Sequence, residues 1–330
     1  MRMKQVSTPI GRAPVSAIGF GCASIGSWVP ADEGLSALQR AFDAGVTWFD
    51  VAPSYGDGAA EAILGRFLAG RSGAVNVCTK VGIVAVSTGW KAALRPHARR
   101  LVRRLPALRR YARGIRTIET TPLTTVGVMA SVDESLRRLG VERIDLLMIH
   151  DPSPREVLDG AVQEALTMAL EAGKVGAVGV AGDMDAAAAG AARPGLFAAL
   201  QVENNPFEPN LQDPRLAEWR SGGGLTIAHG ALNVFGALPR LRTLLAEDPT
   251  ARRRVADAGY DPAAPTTPAE VLIDYALATN RAGLCLFSAI KPRHLTALVA
   301  RVDAPRPPAE MLDLGAALRE RWRSRSLAET

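Results

Sequence analysis

The chain of 330 residues contains few cysteines and no long apolar run. Its three cysteines, Cys22, Cys78 and Cys285, lie far apart and follow no metal-binding spacing, so we expect free thiols and no metal site. No segment approaches the roughly 20 apolar residues that span a bilayer, and the first residues lack the apolar core of a signal peptide. These absences predict a cytoplasmic protein without a membrane partner.

Lysine and aromatic residues are also scarce. Aromatic residues make up 5% of the chain, and lysine occurs only at Lys4, Lys80, Lys91, Lys174 and Lys291, although the formal net charge is +6. Arginine therefore carries most of the positive charge. An excess of basic over acidic residues, without aromatic side chains between the basic ones, is weak evidence for nucleic-acid binding, so we expect no nucleic-acid partner.

Short apolar runs alternate with longer amphipathic runs. The periodicity predicts strands at Ser16–Cys22, Val46–Asp50, Val75–Val81, Ile144–His150, Val175–Ala181, Leu196–Glu203, Leu225–His229 and Ala282–Ser288. Helical patterns follow at Leu35–Ala44, Ala59–Ala69, Val126–Leu139, Val157–Ala172, Ala186–Ala192, Pro214–Ser221, Pro268–Thr279 and Pro292–Ala300. An open doubly wound sheet is the alternative architecture, but "IGFGCASIG" matches its glycine fingerprint poorly. Repeated strand and helix pairs favour a closed parallel barrel.

The predicted fold is an α/β (β/α)8 TIM barrel, with residues 1–330 forming a single domain. An arginine-rich insertion at about residues 84–125 follows the third strand, and a C-terminal helix is expected at about residues 308–325. In such a barrel the active site lies at the carboxyl ends of the strands. Polar residues at the carboxyl ends of the predicted strands are therefore candidate catalytic or binding residues.

Six polar residues lie at or just beyond predicted strand ends: Asp50, Tyr55, Lys80, His150, Gln201 and His229. A tyrosine with a pKa of about 10 is a poor acid or base near neutrality unless a cation favours its phenolate. Lys80 could supply that cation, and Asp50 could hold Lys80 protonated. His150 could hydrogen-bond a substrate carbonyl.

Several motifs resemble those of the aldo-keto reductase family. The similar segments are "FDVAPSYG", "CTKVG", "DESLRRLGVERIDLLMIHDP", "AGKVGAVGV" and "LQVENNPF", in family order over nearly the whole chain. The sequence around "LLMIHDP" and "GALNVFGAL" most resembles the branch that includes aldose and fucose 1-dehydrogenases. The resemblance implies that Tyr55 is the general acid or base, that Lys80 and Asp50 adjust it, and that His150 positions the substrate oxygen.

The same resemblance implies a nicotinamide cofactor and a small-molecule substrate. Gln201 and His229 would lie beside the nicotinamide. The cluster Lys291, Arg293 and His294 would neutralise a 2'-phosphate at a helix start, which favours NADP over NAD.

Two cofactor motifs depart from the family pattern. Ala181 and Gly182 replace the serine and asparagine that hold the carboxamide, and Ala297 and Leu298 replace an acid and an asparagine at the adenine. Three functions therefore stay open: an NAD(P)-dependent oxidoreductase, a non-redox dehydratase, isomerase or cyclase, and a cofactor-sensing regulatory binding protein.

The insertion carries arginines at positions 95, 99, 100, 103, 104, 109, 110, 113 and 116. Guanidinium groups pair bidentately with carboxylate and phosphate. Because the segment begins just after Lys80, it predicts a cationic mouth for an anionic or carrier-bound substrate. A solvated lid is the alternative.

Overall fold

The computed structural model describes residues 3–8, 10–71, 73–85, 118–233 and 236–328. Within these ranges the strands, numbered in chain order, are β1 (Gln5–Val6), β2 (Val15–Ser16), β3 (Ile18–Gly21), β4 (Trp48–Asp50), β5 (Asn76–Val81), β6 (Ile83–Ala85), β7 (Ile118–Thr120), β8 (Leu146–His150), β9 (Val178–Ala181), β10 (Phe197–Glu203), β11 (Leu225–His229) and β12 (Leu284–Phe287). Eight of them close into a barrel in the order β3, β4, β5, β8, β9, β10, β11, β12. The predicted barrel is confirmed.

The register of the barrel brings the ends of its strands to one rim. All neighbouring strands are parallel, and Lys80 on β5 pairs with Met148 on β8. His150 pairs with Ala181 at the ends of β8 and β9, and Ala181 pairs in turn with Gln201 on β10. Polar residues that are distant in sequence therefore meet at the same edge.

Helices surround the barrel. In the described ranges they are α1 (Ala31–Asp43), α2 (Ala60–Leu68), α3 (Thr125–Leu139), α4 (Pro154–Leu158), α5 (Gly160–Glu171), α6 (Met184–Ala191), α7 (Ala217–Ser221), α8 (Ala237–Glu247), α9 (Pro249–Asp257), α10 (Thr267–Thr279), α11 (Pro292–Asp303) and α12 (Pro308–Ala328). None of these helices combines the length and apolarity that a bilayer crossing requires.

Local sequence explains where individual helices begin and end. Thr124 caps α3 by accepting a hydrogen bond from the Gly127 amide, and Gly140 ends the helix in the left-handed conformation with φ 65°. A serine cap with a glutamate three residues later starts α4, as described below. Such caps fix the angles at which the chain leaves each barrel strand.

The main core fills the barrel and the layer beneath the helices. Trp48, Phe49, Leu146 and Leu147 are almost completely buried. Burying a large apolar side chain contributes about 1.5–3 kcal/mol. A second apolar cluster around Tyr275 packs α8, α10 and α12 together. The C-terminal helix α12 is therefore held against the helical layer around the barrel.

The structure differs from the sequence prediction in several places. The helix predicted over Val157–Ala172 is interrupted at Asp159, which has extended backbone angles and caps α5 by accepting from the Ala161 amide. The predicted Pro214–Ser221 helix begins as a 3-10 turn. The hairpin of β1 and β2 and the helices α8 and α9 were not predicted.

The two ends of the insertion are joined at the rim. β6 pairs antiparallel with β7, so Ala85 lies opposite Ile118 directly beyond β5. The arginines predicted at the mouth lie outside the described residues, as do Leu101, Leu105 and Leu108, which were predicted to form an apolar stripe.

Candidate active site

A cavity of about 350 Å³ opens at the carboxyl ends of the barrel strands. The structure brings together on its walls all six strand-end residues named from the sequence, which are Asp50, Tyr55, Lys80, His150, Gln201 and His229. They come from five different strands and one turn. Closure of the barrel therefore brings together residues that are distant in the sequence, from Asp50 to His229. Of these side chains, Asp50 and Lys80 are among the most deeply buried.

Asp50 and Lys80 form a buried ion pair. Lys80 Nζ lies 2.6 Å from Asp50 Oδ1, and the two side chains are 1% and 3% exposed respectively. The ammonium also donates to the Val51 carbonyl at 3.2 Å. Burial acts to lower the pKa of Lys80, but the Asp50 carboxylate outweighs it and holds the pKa above its ordinary value. Lys80 is therefore a fixed cation.

A tight turn holds Tyr55 beside this cation. The next residue, Gly56, has φ 61°, and a Cβ there would lie 1.9 Å from the Ile25 carbonyl oxygen, so only glycine fits. Lys80 Nζ lies 4.7 Å from the Tyr55 ring centroid. The turn and the ion pair together fix the phenol at the cavity wall.

Two opposing effects set the protonation state of Tyr55. Burial raises the pKa of the hydroxyl, and the opposing effect of Lys80 is smaller. Lys80 favours the phenolate, as expected from the sequence, but burial outweighs it and the pKa of Tyr55 lies above its ordinary value. In this structure the phenol stays protonated near neutral pH and can donate its proton.

His150 presents a neutral imidazole to the cavity. Its ring packs edge to face against Tyr55 with centroids 5.8 Å apart. Burial, followed by the charge of Lys80, lowers the pKa of His150 to about 3. Its Nδ1 is buried and has no hydrogen-bond partner among the described residues. A neutral ring can offer one N–H to a substrate oxygen.

Gln201 and His229 form the opposite wall. Gln201 is 4% exposed, and its Oε1 is a buried acceptor without a hydrogen-bond partner in the described part of the chain. Burial and the charge of Lys80 lower the pKa of His229 to about 4, so this ring is also neutral at pH 7. An unpaired acceptor in a cavity wall is suited to a ligand amide.

Two further residues line the cavity without having been named as site residues from the sequence. Ser288 Oγ donates to the Gly21 carbonyl at 2.6 Å. Asp151 follows His150 directly and has the positive φ of 47°. Burial raises the pKa of the Asp151 carboxyl, with Lys80 acting against it. The "HDP" motif was the available signal for Asp151.

The residues predicted at the 2'-phosphate lie apart from the cavity. Lys291, Arg293 and His294 are exposed at the start of α11 and do not line its walls. Ala181 lines the cavity but, like Gly182, has no polar side chain. In the described ranges no three His, Cys, Asp or Glu side chains are grouped to hold a metal ion.

Known proteins match both the sequence and the fold. D-threo-aldose 1-dehydrogenase of Pseudomonas sp is 37% identical over 169 residues, which are 50% of this chain and 48% of that protein. Pyridoxal 4-dehydrogenase of Microbacterium luteolum is 32% identical over 140 residues, 42% of this chain and 40% of that protein. The matches to these curated relatives therefore span about half of their length or less.

Solved structures support the fold over nearly the whole chain. The glycerol dehydrogenase of Gluconobacter oxydans superposes with a TM-score of 0.70 at 22% identity, covering 97% of this chain and 96% of that one. An aldo-keto reductase from Klebsiella pneumoniae, solved with NADPH, gives a TM-score of 0.68 at 19% identity, with 96% of each chain covered. The model of the aldo/keto reductase family matches residues 17–318. The chain belongs to the aldo/keto reductase family.

Proposed function

We propose that this protein is an NAD(P)-dependent oxidoreductase that interconverts a carbonyl group and an alcohol. The observation that carries the proposal is the convergence of Asp50, Tyr55, Lys80 and His150 on one cavity. A protonated phenol, a fixed cation and a neutral imidazole supply the groups needed to protonate and orient a carbonyl oxygen.

Each residue has a distinct proposed role. Tyr55 donates its proton to the carbonyl oxygen during reduction and recovers it during oxidation. Lys80 stabilises the phenolate left behind, because its ammonium lies beside the ring. Asp50 holds Lys80 in place at 2.6 Å. His150 donates an N–H to the same oxygen and orients it.

The residues on the opposite wall fit a nicotinamide. The buried Gln201 Oε1 has no partner among the described residues, and a carboxamide NH2 is the donor it lacks. When bound, the cofactor would supply or accept the hydride. Lys291, Arg293 and His294 at the start of α11 favour the 2'-phosphate of NADP over NAD. Residues 1–330 would form a single barrel domain that binds both ligands.

A hydroxylated, sugar-like substrate is the favoured class. Relatives named D-threo-aldose 1-dehydrogenase and 6-dehydroglucose reductase support it. The further prediction of an anionic or carrier-bound substrate depends on arginines outside the described residues, and the described walls add no cation besides Lys80, which is paired.

A non-redox enzyme is the second candidate. Ala181 and Gly182 provide no side-chain hydrogen bond at the carboxamide position, which would weaken cofactor binding. The acid and base groups alone could support a dehydratase, isomerase or cyclase. The comparisons favour neither this candidate nor a regulatory binding protein, since the named relatives include several dehydrogenases.

Cofactor titration and turnover test the proposal. Calorimetry with NADPH and NADH should give saturable binding that is tighter for NADPH. A panel of aldehydes, ketones and aldoses should then change the nicotinamide absorbance only when protein, cofactor and substrate are all present. Absence of binding by both cofactors together with absence of turnover would reject it. A conversion that survives complete removal of nicotinamide would establish the second candidate.

A further inference from the structure

Asp151 places a carboxylate on the cavity wall next to His150. The two residues are consecutive, and Asp151 Oδ2 lies 4.0 Å from His150 Nε2. About two thirds of the carboxylate side chain, 68%, is exposed. Asp151 thus faces the space in which the substrate carbonyl would bind.

The backbone holds this carboxylate in an uncommon conformation. Asp151 has φ 47°, a region that residues other than glycine rarely adopt, and it precedes Pro152. The Asp151 amide donates to the Ala181 carbonyl at 2.7 Å, so the residue is tied to the end of β9. Such outliers cluster at functional sites, where the surrounding structure enforces them.

The segment after Asp151 is equally well fixed. Ser153 accepts from the Glu156 amide, and Glu156 accepts from the Ser153 amide at 2.7 Å, which forms a capping box at the start of α4. Pro152 and Pro154 restrict the backbone on either side of Ser153. Asp151 is therefore held between a strand end and a capped helix.

Asp151 also sets the charge of the cavity. Asp50 and Lys80 neutralise each other at 2.6 Å, and the two imidazoles are neutral at pH 7. The contact between Asp151 and His150 is consequently not an ion pair. Among the described residues that line the cavity, Asp151 carries the one acidic or basic side chain that no opposite charge balances.

Next to His150, the described cavity wall offers the Asp151 carboxylate as a hydrogen-bond acceptor. Asp151 accepts only. The donors of Tyr55 and His150 are committed to the reacting oxygen. A substrate group beside the reacting carbon therefore meets a hydrogen-bond acceptor and a negative charge.

We infer that Asp151 is a specificity-determining residue, which accepts a hydrogen bond from a hydroxyl or ammonium group on the carbon beside the reacting carbonyl carbon. The same charge disfavours a carboxylate at that position. This inference rests on the proposed oxidoreductase function and specifies the substrate class of that site.

Small aldehydes of nearly equal size test the inference. Glycolaldehyde, aminoacetaldehyde, propanal and glyoxylate place a hydroxyl, an ammonium, a methyl or a carboxylate group in the region that Asp151 faces. The wild-type protein with NADPH should show a kcat/KM for glycolaldehyde at least about tenfold above that for propanal. The ranking of glycolaldehyde against aminoacetaldehyde identifies the donor.

Asp151→Asn is the decisive variant because asparagine also adopts a positive φ, so the fold should be kept. It should reduce kcat/KM for glycolaldehyde about tenfold, leave propanal within twofold, and raise kcat/KM for glyoxylate severalfold. Asp159→Asn is the matched control: Asp159 is an exposed acid that caps α5 and does not line the cavity. Asparagine caps equally well, so the control should keep the wild-type preference.

Two results would overturn the inference. If the Asp151→Asn variant keeps the preference for glycolaldehyde over propanal, the carboxylate does not determine specificity. An equal loss on glycolaldehyde and propanal makes Asp151 a positioning residue for His150. NADPH binding to both variants, measured by calorimetry in the same samples, reports separately on the proposed function.

Ligand-observed NMR with glycolaldehyde and propanal, in the absence of cofactor, adds a measurement of substrate binding. If the wild-type protein prefers glycolaldehyde over propanal neither in binding nor in turnover, the inference is also rejected.

Discussion

Lys80 Nζ lies 2.6 Å from Asp50 Oδ1 where two neighbouring barrel strands end, and both side chains are almost fully buried. Two opposite charges in this setting are stable only as a pair, because each alone would be desolvated without compensation. The pair thereby holds a cation beside the Tyr55 ring without leaving net charge in the barrel.

Removing the cation alone should destabilise the protein. Lys80→Met leaves Asp50 as an unpaired buried carboxylate, and we expect a loss of about 3–5 kcal/mol in the free energy of unfolding. The double variant Lys80→Met with Asp50→Leu should recover most of that stability but no activity. Urea unfolding measures both. Lys174→Met is the control, because both side chains of the Lys174–Asp133 pair remain in contact with water, at 33% and 56% exposed, and the pair should contribute less than about 1 kcal/mol. Equal losses at the two lysines would contradict the buried-pair interpretation.

The phenol of Tyr55 should be needed for turnover and not for cofactor binding. Tyr55→Phe should lower kcat about 100-fold or more, while the Kd for NADPH stays within about threefold. Tyr260→Phe removes a different phenol, which donates to Asp274 Oδ2 at 2.6 Å and lies outside the cavity. That control should lower the Tm and keep kcat. Full turnover by Tyr55→Phe would exclude the proposed proton donor.

Gln201→Leu should weaken cofactor binding without lowering the free energy of unfolding. Oε1 of Gln201 is a buried acceptor with no partner in the described ranges, so its removal should not lower the free energy of unfolding. The Kd for NADPH should rise about tenfold because the carboxamide loses its acceptor. Gln163→Leu on α5 is the control, since Gln163 Nε2 donates to the Val157 carbonyl at 3.0 Å, far from the cofactor side. An unchanged Kd in Gln201→Leu would remove Gln201 from the cofactor site.

The neutral state of His150 predicts a specific pH dependence of stability. Its pKa is about 3 in the folded protein, against about 6.5 in an unfolded chain, so between these values the unfolded state binds the extra proton. Wild-type stability should therefore fall as the pH drops below about 6.5 and be constant above it. Relative to His150→Asn, the decline should approach about 1.4 kcal/mol per pH unit.

Equilibrium unfolding of both proteins from pH 4.5 to 7.5 tests this dependence. The difference between them cancels the titration of unrelated groups, and the neighbours Lys80, His229 and Asp151 are present in both. A difference that does not vary with pH would show that folding leaves the pKa of His150 unshifted, and a difference that grows as the pH falls would show that the folded state favours the protonated ring.

The barrel could be predicted because its strands are apolar on both faces and each is followed by a helical pattern. The break at Asp159 was missed, since the apolar periodicity continues through the residue and only its capping hydrogen bond interrupts the helix. Helices α8 and α9 were also missed. They pack into the second apolar cluster with α12, a contact between distant segments that no local window contains.

Most residues of the candidate site could be named from the sequence. Strand ends converge in any parallel barrel, so Asp50, Lys80 and His150 could be placed on one rim from their positions alone. Protonation states could not be predicted, because they depend on how deeply each group is buried. Tyr55 shows this most clearly, since Lys80 acts on its pKa in the expected direction but desolvation outweighs it. The "HDP" motif was visible, but the positive φ of Asp151 and its place on the cavity wall were not, so it was overlooked as a site residue.

The most direct test of the account follows deuterium from cofactor to product. NADPH that carries deuterium at C4 of the nicotinamide, in both stereochemical positions, is incubated with the protein and glycolaldehyde, and the alcohol is examined by mass spectrometry. Hydride transfer predicts one deuterium on the former carbonyl carbon for each NADPH oxidised, with about 100-fold less labelled alcohol in Tyr55→Phe samples over the same time. Conversion of substrate without deuterium transfer, or oxidation of NADPH without labelled alcohol, would contradict the proposed function.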